Sequence, residues 1–136
     1  MKIDGKCHCG GITFEAEVDP TTVVICHCTD CQTLSGTAFR TVVPTKEGSC
    51  RLLSGAPKSY VKTGESGNRR EQTFCPDCGT PIYSGPIGRH KSRKLAGRRY
   101  PPARSDGSDR PVLVSLGTDV AQHVADNKEN GNTTGL

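Results

Sequence analysis

Three cysteines within six residues, in the run Cys26-His27-Cys28-Thr29-Asp30-Cys31, are spaced to converge on one metal ion and are too crowded to sit in separate disulfides. Upstream, Cys7 and Cys9 form a Cys-x-Cys pair, and downstream Cys75-Pro76-Asp77-Cys78-Gly79 is a Cys-x-x-Cys knuckle. These supply four further thiols of the kind that close a tetrahedral zinc site, so seven of the eight cysteines stand in metal-ligand spacings. Metal thiolates survive in a reducing space, whereas a disulfide framework needs an oxidising one. Residues 1–6 carry no hydrophobic run that would serve as a signal peptide, and no later segment approaches the length of a membrane span. The expectation is a soluble, cytoplasmic protein with no membrane partner.

The frame that must position these thiols is small. With 136 residues and one set of interlocked cysteine motifs, a single domain is expected. The apolar fraction is 32%, with no Trp and three Phe, which is thin for a chain held by burial alone. Bound zinc would make up the difference, since metal binding contributes roughly 10 kcal/mol or more to small metal-folded domains. Ile12, Phe14, Ala16 and Val18 alternate with polar residues at the period of a half-buried strand, which Asp19-Pro20 ends. Val23-Val24-Ile25 delivers the central cysteine run, and the polar stretch up to Ser35-Gly36 suits a loop with one helical turn. Residues 38–43, 50–53, 59–62 and 69–74 read as further short strands, with a hairpin turn over 64–68 and the knuckle leading into a strand from Thr80 to Tyr83. The pattern is all-β.

Residues 85–110 show no apolar period and read as a disordered, basic insert; residues 112–116 form the last strand, and residues 119–136 a polar tail. The formal net charge is +4, but seven thiolates and two Zn²⁺ ions would change it to about +1 (+4 − 7 + 4). Eight Arg/Lys against two Asp in residues 89–110 concentrate the basic character in that segment.

Taken together, Cys7-His8-Cys9-Gly10-Gly11, Cys26-His27-Cys28-x-x-Cys31, Ser35-Gly36, Leu53-Ser54-Gly55, Phe74-Cys75-x-x-Cys78-Gly79-Thr80-Pro81 and Val114-Ser115-Leu116-Gly117-Thr118 resemble the glutathione-dependent formaldehyde-activating family. The resemblance covers residues 1 to about 84 closely and weakens beyond, where the basic insert interrupts it. It implies a mainly β fold of several short, coiled antiparallel sheets stapled by zinc, within a domain spanning residues 1–118. It also implies a structural zinc on Cys7, Cys9, Cys75 and Cys78, and a second zinc on Cys26, Cys28 and Cys31 with its fourth position free. The implied activity is that of a carbon–sulfur lyase forming or cleaving S-hydroxymethylglutathione, with glutathione or a glutathione–aldehyde adduct as partner. The chemistry of the ligands agrees with this division. Four thiolates complete a tetrahedron, whereas three leave a position for water or an incoming thiol. Zinc on three thiolates is electron-rich, a poor activator of water but able to hold a fourth thiolate.

Other readings stand beside this one. The second cluster would be purely structural if His27, His8 or Cys50 completed it. His8 and His27, each between two cysteines, are read as screening the sites, Cys50 as a small core residue, Ser35 and Gly36 as a turn, and Asp30 and Asp77 as loop residues rather than general bases. The family resemblance extends to a domain of centromere protein V, so a non-catalytic, zinc-folded binding module is the alternative, contacting nucleic acid or an acidic protein through residues 89–110. Tyr100 is the sole aromatic residue there, so base stacking has little support.

Overall fold

A computed structural model of the chain describes residues 1–64, 66–88 and 91–97. In chain order the elements are β1 (Lys2–Lys6), β2 (Thr13–Glu17), a 3-10 turn (Pro20–Thr22), β3 (Val24–Cys26), α1 (Thr29–Ser35), β4 (Arg40–Pro44), β5 (Arg51–Ser54), β6 (Lys58–Thr63), β7 (Arg69–Phe74), β8 (Pro81–Pro86) and β9 (Lys94–Ala96). All strand pairings are antiparallel. They build a three-stranded sheet in the order β1-β2-β5 and a six-stranded sheet in the order β3-β4-β9-β8-β7-β6. The expected mainly β class is therefore found.

Buried residues of β2 alternate at the period of two, while β8 buries the consecutive Ile82 and Tyr83 beside the register shift opposite Thr73 and Phe74, and β3, β5 and β6 bury none. The small sheet contributes Ile3, Phe14 and Ala16, with Ile12 and Val18 at the ends of β2, while the large sheet contributes Val43, Ile82, Tyr83 and Leu95. Thr73 is buried among them, and its hydroxyl meets Ser59 Oγ at 2.8 Å, so burial leaves it paired. Gly5 faces Phe14 across the β1–β2 ladder, and a Cβ there would overlap the ring. The missing side chain is what lets the only fully buried Phe lie flat on the sheet.

Boundaries expected from the sequence hold for β2 through β8, with three differences. The loop after β3 contains a seven-residue helix rather than one turn, closed by Gly36 at φ 67 with its N–H bonded to Gln32 O. Residues 2–6, given no element from sequence, form β1. The third difference corrects part of the reading of residues 85–110 as a disordered insert: Gly85 and Pro86 belong to β8, and Lys94–Ala96 form β9, which lies between β4 and β8 inside the six-stranded sheet, while residues 89–90 and 98–110 lie outside the described residues. No apolar period marks β9 because it has one core residue, Leu95, and its ladder is supplied by neighbours on both sides. Arg93, just before it, lies over the Tyr83 ring at 4.2 Å and donates to Cys50 O. The strand expected over residues 112–116 and the tail from residue 119 lie outside the described residues.

Candidate metal centre

Two hairpin tips make the first cluster. Cys7 and Cys9 sit in the tight connection from β1 to β2, where Gly10 N–H bonds to Cys7 O and the Ile12 N–H donates to Cys7 Sγ at 3.2 Å. Cys75 and Cys78 sit in the β7–β8 connection, closed by Gly79 N–H to Cys75 O at 2.8 Å, with Gly79 at φ 71. The tips belong to different sheets and meet, with Cys7 and Cys9 Sγ 3.4 Å apart and Cys9 and Cys75 Sγ 3.8 Å apart. The His8 N–H donates to Thr80 Oγ1, which also lies 3.1 Å from Cys78 Sγ. Cys7 and Cys75 are buried in the core between the sheets.

The second cluster forms where β3 runs into α1. Cys26 ends β3, Cys28 is the N-cap of α1 and Cys31 lies in its first turn. Cys26 and Cys28 Sγ are 3.4 Å apart, and Cys28 Sγ accepts from the Cys31 N–H. None of the three is buried. Lys62, on β6, sends its ammonium to Asp30 Oδ2 at 2.5 Å, so Asp30, which shows no partner in the sequence, is held in an ion pair beside this cluster. Arg40 lies directly opposite Cys26 in the β3–β4 ladder and donates to Gln72 Oε1 at 2.9 Å. Lys62, Arg40 and Gln72 carry no local motif; only strand register could have pointed to them.

Both sets suit a tetrahedral ion. Within each, the sulfurs lie within 4.8 Å of one another. Zinc–sulfur bonds of 2.3 Å in a tetrahedron would place neighbouring sulfurs roughly 3.8 Å apart, close to the separations found. The acidities of the thiols point the same way. The Thr80 hydroxyl, helped by backbone N–H groups, brings Cys78 down to about 5, while Cys9, although favoured by the Gly11 N–H, is pushed up to about 12 by the neighbouring thiols. In the second set burial raises Cys28, but the Cys31 N–H, the flanking thiols and the Lys62 charge outweigh it and lower the thiol. Burial and the Cys26 and Cys28 sulfurs push Cys31 up to about 12. Sulfurs split in this way become thiolates together only with a cation among them.

Among the described residues the second set has three members. His27 stands against Phe39, with ring centroids 6.0 Å apart. His8 is tied by its backbone to Thr80 at the first cluster, and Cys50 is buried in the core. None of the three alternative ligands is brought to Cys26, Cys28 and Cys31.

The model of the glutathione-dependent formaldehyde-activating enzyme family matches residues 2–97, which is most of the chain. The chain belongs to this family. The match runs through β9, beyond the close resemblance that ends near residue 84. The chain is also similar in fold to the crystal structure of a Rhodobacter sphaeroides protein, with a TM-score of 0.52 and 18% identity over 68% of this chain and 82% of that one. No curated protein matches it.

Proposed function

We propose that the chain is a zinc-dependent carbon–sulfur lyase acting on glutathione–aldehyde adducts. Cys26, Cys28 and Cys31 would hold the reactive zinc, and Cys7, Cys9, Cys75 and Cys78 a structural one. The observation that carries this reading is the difference between the clusters: four sulfurs, two of them buried between sheets, against three exposed or half-buried sulfurs without a fourth ligand among the described residues. Zinc bound at the three-sulfur set supplies one further coordination position, suited to a thiolate.

The chain's own groups prepare that place. The first turn of α1 places the backbone of Cys28 and Cys31 and the ladder with Arg40 that of Cys26, and the Cys31 N–H also holds the Cys28 sulfur. The Lys62 and Arg40 charges offset the negative charge of the thiolates. In the net reaction the thiol sulfur bonds to the aldehyde carbon, the carbonyl π electrons pass to oxygen and the thiol proton ends on that oxygen; cleavage reverses each change. Asp30 is engaged by Lys62, which removes it as a free base.

Calorimetry with zinc content measured on the same sample tests the reading. Two zinc ions per chain and binding of glutathione, with far weaker binding of S-methylglutathione, are expected, because a methylated sulfur cannot become a thiolate ligand. Equal affinity for the two compounds would overturn it.

A further inference from the structure

We propose that Arg40 and Lys62 form a carboxylate-recognition surface beside the second cluster, which makes its preferred partner an anionic thiol rather than any thiol. This rests on the reading that the cluster takes a thiol, and it adds what selects that thiol.

The argument starts from register. Residues directly opposite in a ladder share a face, as do alternate residues along a strand. Cys26 pairs with Arg40, Arg40 shares its face with Val42, and Val42 pairs with Ala96. Ala96 shares its face with Lys94, which pairs with Ser84, and Ser84 pairs with Gln72. Gln72 pairs with Tyr60, which shares its face with Lys62. One face of the large sheet therefore carries Cys26, Arg40, Gln72 and Lys62, while Val43, Leu95, Tyr83 and Thr73 occupy the buried face. β6 lies five strand spacings from β3, roughly 24 Å on a flat sheet. Even so, Lys62 reaches Asp30, four residues beyond Cys26. Hence the Lys62–Asp30 ion pair joins β6 to α1, and Cys26 stands on the same face as Arg40, Gln72 and Lys62.

Charge gives the face its use. With a divalent ion bound, three thiolates leave the cluster at −1, and Asp30 adds another negative charge. An incoming thiolate bearing carboxylates would be repelled by this centre unless cations stood beside it. Lys62 is one: its ammonium has three donors, so it can keep Asp30 and take a second carboxylate, and its side chain, 17% exposed, is partly shielded from solvent screening. Arg40 is the other, half-buried, with a neutral amide as its hydrogen-bond partner and no carboxylate within ion-pair distance among the described residues. A guanidinium bonded on one side by an amide still has N–H groups arranged to take a carboxylate side-on.

The test compares glutathione with its diethyl ester, which keeps the thiol and lacks both carboxylates, by calorimetry on the zinc-loaded full chain. The free acid is expected to bind about 10-fold more tightly than the ester, the worth of a charge-assisted hydrogen bond, and the gap should shrink as salt is raised. Arg40→Gln should weaken binding of glutathione more than that of the ester and so narrow the gap, Arg40→Lys should fall between, and Lys62→Met should narrow the same gap. Should Arg40→Gln fail to fold or to hold zinc, Lys62→Met and the wild-type salt series decide. Equal wild-type affinities for acid and ester, or an undiminished gap in both neutralised variants, would overturn the selectivity alone. Binding of neither compound would overturn the thiol-site reading and this proposal with it.

Discussion

Cys28 has two tasks that can be separated chemically. Its sulfur caps α1 by accepting the Cys31 N–H, and the same sulfur belongs to the three-thiol set. Serine is a better helix cap than cysteine but a poor zinc ligand, so Cys28→Ser should keep α1 and lose the ion. We expect a folded protein that holds about one zinc and no longer binds glutathione. Cys78→Ser removes a sulfur from the staple between the sheets and should abolish cooperative thermal unfolding. Equal unfolding of the two variants in a melting experiment would make the second cluster structural and remove the main support for the lyase reading. At this scale the sequence was informative about the thiols, because ligand spacing within each turn is local. It was uninformative about Asp30, which looks unpartnered until β6 brings Lys62 to it from 32 residues away.

Strands were legible where apolar alternation could be counted or where a run of β-formers stood between turn residues; β6 buries nothing and was legible in the second way. β2 alternates Phe14 and Ala16 with glutamates and threonine, and its period can be counted directly. β1 and β9 bury one apolar side chain each, Ile3 and Leu95, so neither has a period; their neighbours' ladders make them strands. Packing at β1 depends on a side chain that is missing. Gly5→Ala would force the Phe14 ring off its seat, and overpacking of this kind costs roughly 1–3 kcal/mol. A urea titration should show a lower midpoint with the zinc content unchanged. A midpoint equal to that of the wild type would mean the ring can shift freely, against its complete burial.

For the whole molecule, the position of β9 changes how the basic segment can be judged. Deleting residues 89–110 would remove a strand from the interior of the six-stranded sheet, so loss of nucleic-acid binding by such a variant would report unfolding. Replacing Arg98, Arg99, Arg104 and Arg110 by Gln leaves β9 in place. At a salt concentration of about 0.15 M, where exposed charges are screened beyond about 8 Å, we expect no gel shift of duplex DNA by the wild-type chain. A salt-sensitive shift that the four substitutions remove would favour the binding module instead. The meeting of two distant hairpin tips also has a consequence in time. If both clusters take metal, the trio is complete once Cys31 has left the ribosome, but Cys9 must wait for Cys75, 66 residues later. Throughout that interval the growing chain carries two thiols without their partners, open to oxidation or to the wrong ion, and the reducing power of the surroundings during synthesis bears on the yield of folded protein before any question of its final stability arises.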